Sequence, residues 1–214
     1  LARWGWAATL AFFVVLAGAE SLRLGLDANW DLKNYHFYNP HAFVTGRIGS
    51  DIAPAMVQTY HNPLADLPFY FMVREGVPPR VISFVMAIPA GIAAWFLLRI
   101  ALVLFPKARH EDRGTWVALA VAIGVLGAAG HSVIGSTMGE WPPAALLIAA
   151  ISILVSSTAR NGAPLIGALL AAGALAGIAA GLKLTYGPFA AALWVAMLSF
   201  GSPGERARRA LVLG

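Results

Sequence analysis

The chain has 214 residues, of which 59% are hydrophobic and 12% charged. Soluble domains carry about 25% charged residues, so there is too little polar surface here to face water on all sides, and lipid is the natural solvent for most of the chain. The formal net charge is +5, yet the basic residues cluster beside apolar runs and form no continuous stripe, which fits membrane topology rather than a nucleic-acid partner. The absence of cysteine excludes disulfides and thiolate metal sites.

A membrane helix needs about 20 mainly apolar residues. Six runs reach or approach that length: 4–22, 81–105, 115–134, 141–157, 164–182 and 186–200. They predict an all-α fold, a polytopic transmembrane helix bundle forming a single membrane domain. The first run has Arg3 ahead of it and Ala17, Gly18 and Ala19 at its end, as a signal peptide would. Because further spans follow, it is read as an uncleaved first crossing. The last two runs form one apolar stretch interrupted by Lys183, too long for one crossing, which predicts a tight hairpin. A start at Leu1 rather than Met, and an end at Gly214, point to a piece of a longer protein.

Orientation follows from Lys and Arg in the short connections. With the N-terminus inside, the cytoplasmic side holds Arg3, then Lys107, Arg109 and Arg113, then Arg160, then Arg206, Arg208 and Arg209. The short outer connections hold only Lys183. The expected location is a bacterial inner membrane, crossed several times, with the N-terminus in the cytoplasm and the long loop 23–80 on the periplasmic face.

That loop is dense in Asp, Asn, His, Tyr and Pro between runs of membrane length, and connections this long are usually functional. A helix is predicted from near Asp31, capped by Asn29 or Asp31 and ended by Gly46, with a kink or break at Pro40. On it Asp31, Tyr35 and Tyr38 share a face. A second short helix is predicted to begin at Asn62-Pro63, cap then proline at the first helical position. Leu64, Leu67 and Phe71 would rest on the membrane surface, with Asp66 turned to water, as in helices that lie in the interface plane.

Four groups can carry chemistry. Asp31, at the outer membrane edge among aromatics, can be a helix cap, a metal ligand or a general base. Of His36, His41 and His61, no pair has a zinc-ligand spacing. His61, in the polar turn with Tyr60 and Asn62, is best placed to meet a ligand, and its charged form suits a phosphate. Glu140 precedes Trp141-Pro142-Pro143. It serves either the dipole of the helix that follows or the same site as Asp31, since both belong to the outer edge. Lys183 lies between two spans, where a lysine is costly unless it snorkels to headgroups or meets an anion. The many glycines of the later spans are read as close packing between helices.

Four stretches carry a resemblance: WDLKNYHFYNPHAFVTGR at 30–47, DIAPAMVQTYHNPLADLPFY at 51–70, GSTMGEWPPAALL at 135–147 and GLKLTYGPFA at 181–190. In this order they resemble the GT-C superfamily of integral-membrane glycosyltransferases, and within it the bacterial multi-spanning proteins of glycosyltransferase family 87. The resemblance implies a bundle of about a dozen helices whose large first outer loop carries short membrane-parallel helices; this chain would be its N-terminal half. It also implies sugar transfer from a polyprenyl-phosphate donor to an acceptor on the outer face. Asp31 matches the acid of the first loop and Glu140 that of the second. Lys183, His61, Tyr35, Tyr60 and Asn62 are then the candidates for holding donor and acceptor. The family pattern allows a divalent metal, but relatives pair acids in the first loop and here Leu32 follows Asp31, so no metal ligand is named. The expected partners are the lipid-linked donor, membrane lipids and other membrane proteins, with no nucleic acid.

Two other classes fit such a chain. A transporter or permease would place charges at mid-membrane in several spans, whereas the runs here are nearly free of charge. A non-catalytic assembly subunit would fit if the half-bundle were a whole protein.

Overall fold

The computed structural model describes residues 3–25, 27–106 and 112–198. Among them all regular structure is helical. The chain divides into two compact units: Leu1–Gly91 with Ala128–Pro142, and Ile92–Gly127 with Pro143–Gly214. The basic residues Lys107, Arg109, Arg206, Arg208 and Arg209, used above for orientation, lie outside the described residues.

Among the described residues, three helices are long and apolar enough to cross a membrane: Gly5–Leu24, Pro79–Leu104 and Trp141–Asn161. The first belongs to α1 (Arg3–Leu24), which exposes Phe12, Val15, Leu16 and Leu22 as a lipid-facing helix would. The second comprises α4 (Pro79–Met86) and α5 (Ile88–Leu104), with a turn at Ala87 between them. Pro89 explains that turn, since its ring removes a backbone N–H and crowds the carbonyl four residues back. The third is α8 (Trp141–Asn161), with Pro142 and Pro143 in its first turn, where no N–H has an acceptor within the helix.

The predicted span 115–134 is not one helix. It breaks at Gly127 into α6 (Arg113–Leu126) and α7 (Ala128–Ser132). Glycine has the poorest helix propensity after proline, and Gly127 leaves the helix at ψ 135°. The 14 residues of α6 reach about 21 Å, short of the ~30 Å hydrocarbon core. The predicted hairpin is present: α9 (Ile166–Leu182) and α10 (Gly187–Leu198) pack on each other across extended Lys183 and a 3-10 turn, Leu184–Tyr186.

In the second unit Ala150, Leu154, Leu169, Ala172 and Met197 form a core shared by α8, α9 and α10. The Arg113 guanidinium donates to the Leu102 and Phe105 carbonyls at 2.8 and 2.5 Å, satisfying the C-terminal end of α5. In the first unit α1 packs on α4 and the start of α5 through small residues. A Cβ at Gly91 would fall 2.6 Å from Val14 Cα, so only glycine admits this approach. The Ser21 hydroxyl donates to the Ser83 carbonyl at 2.8 Å between the same helices.

The outer loop folds as a series of short helical pieces: a π-helical turn (Leu32–His36), α2 (Tyr38–Val44), 3-10 turns at Met56–Tyr60 and Pro63–Ala65, and α3 (Leu67–Arg74). The break falls at Phe37, so Pro40 stands in the first turn of α2 and costs no ladder hydrogen bond. Gly46, at φ +72°, lies just beyond the end of α2. Asn62 caps as predicted, its Oδ1 accepting from the Leu64 N–H at 3.0 Å.

Candidate functional site

Asn29, and not Asp31, caps the first helical turn of the loop: its Oδ1 accepts from the Leu32 N–H at 2.7 Å. Asp31 makes no capping bond. Its half-buried carboxylate instead acts on the Tyr35 phenol one turn on. The π-helical turn over 32–36 widens the helix, and Tyr38 leaves the predicted shared face. Tyr38 donates to Asp51, which also takes two bonds from Arg47 at 2.8 and 2.9 Å. This network straps the loop: Arg47 first, then Tyr38, hold the Asp51 carboxyl below the usual range.

Tyr35 is the centre of the cluster. Its phenol is pushed up to about 12, first by burial, then by the charge and hydrogen bond of Asp31, then by the charges of Asp66 and Glu140. Each nearby carboxylate disfavours a phenolate, so their charges add to the effect of burial. Asp31 and Glu140 both contribute charge at Tyr35, and the two bonds from Thr137 to Asp27 tie their segments together.

Asp66 and His36 were not expected there. Asp66 is only 6% exposed and points inward rather than to water. It accepts from His36 Nδ1 at 3.0 Å, both side chains being buried. A buried carboxylate needs such a partner. The His36 ring lies 4.3 Å from the Tyr35 ring, and His61 approaches Tyr35 at 5.6 Å. With Nδ1 donating to Asp66, His36 Nε2 presents a buried lone pair that no described residue meets. A signal for this pair was available: Asp66 follows the Asn62-Pro63 cap within one turn, and a helix lying on apolar residues can turn its acid inward as readily as outward.

The segment that brings Glu140 to this place is fixed at several points. Gly135 sits at φ +75°, and a side chain there would collide with the Ser21 hydroxyl. Thr137, 2% exposed, donates from its N–H and its hydroxyl to Asp27 Oδ2, at 2.9 and 2.8 Å. The Trp141 indole donates to the Gly130 carbonyl at 3.0 Å. On the α7 side, His131 Nε2 meets Glu20 Oε1 at 2.6 Å.

Of the remaining candidates, Asn62 serves as a cap, and Tyr60 is 70% exposed beside it. Lys183 belongs to the second unit, in the extended residue between α9 and the 3-10 turn. Among the described residues, no group of three or more His, Asp or Glu is placed to hold a metal ion.

Tyr35 is flanked by the His36 and His61 rings, with the Asp66 carboxylate bonded to His36, and acids and imidazoles of this kind can accept a proton. Comparison of the chain with protein-family models, with curated proteins and with solved structures finds no match in any of the three. The geometry of the cluster therefore carries the functional reading.

Proposed function

We propose that the chain is the catalytic half of a membrane glycosyltransferase that moves a sugar from a polyprenyl-phosphate donor to an acceptor hydroxyl on the periplasmic face. The single observation that supports this reading is the pair of hydrogen bonds from Thr137 to Asp27, which tie the segment leading to Glu140 to the one leading to Asp31, in a loop joined to helices of membrane length. The N-terminus is taken as cytoplasmic, in a bacterial inner membrane.

The reaction is assigned as follows. The acceptor oxygen attacks the anomeric carbon while Asp31 takes its proton. The bond from the anomeric carbon to the phosphate oxygen breaks, and the phosphate leaves with the electron pair. His61, at the edge of the cluster, faces that leaving group in its charged form. Tyr35, kept neutral, donates to one oxygen of Asp31 and leaves the other for the acceptor. Glu140 orients the acceptor and supports the positive charge that develops on the sugar.

Membranes from cells expressing the intact gene, supplied with radiolabelled polyprenyl-phosphate sugar, test the assignment. Asp31→Asn is expected to lower transfer at least about a hundredfold, the scale of a lost general base. Full activity in that variant would remove Asp31 from the chemistry.

A further inference from the structure

Glu140 is more than a hundred residues from Asp31 in the chain. Something must hold the two segments in register. Three polar residues do so. Asp27 Oδ2 accepts from the Thr137 N–H at 2.9 Å, from the Thr137 hydroxyl at 2.8 Å and from Asn29 Nδ2 at 2.6 Å. Asn29 Nδ2 also lies 3.5 Å from Thr137 Oγ1. The other end of the same amide, Asn29 Oδ1, caps the turn that carries Asp31 and Tyr35. One side chain therefore touches both the start of the Asp31 turn and the segment that leads to Glu140.

We propose that Asp27 is a positioning residue: with Asn29 and Thr137 it forms a clamp that holds the Glu140 segment against the Asp31 turn. The proposal rests on the transferase reading for its effect on rate, but not for its effect on structure. The oxygen that receives all three donors is one atom. An amide at position 27 can still offer an oxygen there, whereas a methyl group cannot. Charge is thus secondary and the acceptor is what matters, which separates Asp27 from an acid that takes part in the reaction.

Displacing a reacting group by about 1 Å costs on the order of a hundredfold in rate. Asp27→Ala is accordingly expected to lower the transfer rate by about tenfold to a hundredfold at unchanged donor KM. Asp27→Asn should stay within about threefold of the native rate, since it keeps an acceptor, an outcome no proton-accepting acid would show. The protein has no cysteine, so the clamp can also be rebuilt covalently. Asp27→Cys combined with Thr137→Cys should be slow when reduced and recover on oxidation, with the disulfide verified by mass.

Hydrogen exchange read on the same full-length protein gives a measure independent of activity. The amides of 135–140 should exchange about tenfold faster in Asp27→Ala and return to native protection in the oxidised double variant. The clamp is overturned if Asp27→Ala leaves that exchange unchanged, if Asp27→Asn is as slow as Asp27→Ala, or if the disulfide forms without restoring either measure. Should the native protein transfer no sugar, the functional reading fails while exchange alone still decides the clamp.

Discussion

The Tyr35 phenol offers a direct test of whether the acids converge. In water a tyrosine titrates near 10, and Tyr35 is held up to about 12 by burial and by Asp31, Asp66 and Glu140. A difference of two units corresponds to about 2.7 kcal/mol between the neutral and ionised forms. That is an upper bound, because the ring is only half-buried and solvent screens part of it. The sign is definite. The folded pKa is raised, so the contribution to stability is fully present below pH 10 and is lost as the pH rises through about 12. The chain has five tyrosines, and 13C-tyrosine spectra in nanodiscs resolve their titrations, with Tyr35→Phe identifying the resonance. Asp31→Asn should lower the Tyr35 midpoint most among the single acid variants, because the Asp31 charge is the largest of the three carboxylate effects. Glu140→Gln should lower it least. A Tyr35 that titrates near 10, or one indifferent to Glu140→Gln, would refute the convergence, and the proposed site with it.

Two further predictions concern the frame that carries the site. Asp66→Ala leaves the buried His36 Nδ1–H without its acceptor and should destabilise the protein by about 1–3 kcal/mol, seen as an early thermal transition in detergent. Gly91→Ala sets a Cβ 2.6 Å from the Val14 backbone, which α1 accommodates only by moving, so a loss of about 1–3 kcal/mol is expected in the same assay.

Much of this was legible in the residues, and the failures have physical causes. Runs of apolar residues announced the helices at 5–24, 79–104 and 141–161, because length and hydropathy are local properties. Asn62-Pro63 announced a helix start for the same reason. The break at Gly127 was missed because an Ala- and Gly-rich run keeps its hydropathy through a break in the hydrogen-bond ladder. The shared face of Asp31, Tyr35 and Tyr38 failed at its last member. It assumed 3.6 residues per turn, and one wider turn moves every later side chain around the axis. A meeting of Asp31 and Glu140 was expected only because both lie at one membrane edge. The groups that tie their two segments together, Asp27, Asn29 and Thr137, have no distinctive pattern in sequence. An Asp that binds a Thr more than a hundred residues away looks like any polar loop residue until the chain is folded.

The sign of the cluster bears on which half of the reaction it serves. A site built around a leaving phosphate would gather cations, whereas this one gathers carboxylates around a neutral phenol. Positive charge, not negative, is what the cluster is suited to stabilise. In glycosyl transfer that charge develops on the sugar itself, in an oxocarbenium-like transition state. On the proposed reading, a protonated iminosugar should therefore bind more tightly than its neutral sugar analogue. Two unit charges about 5 Å apart at an effective dielectric of about 20 attract by roughly 3 kcal/mol, or about a hundredfold in Kd. Calorimetry on the purified protein should show that preference. Glu140→Gln should reduce it by about tenfold, since one of several carboxylates is lost. Equal affinity for the cationic and neutral compounds would mean that the acids are spent on one another and on the loop, and that the reacting sugar lies elsewhere.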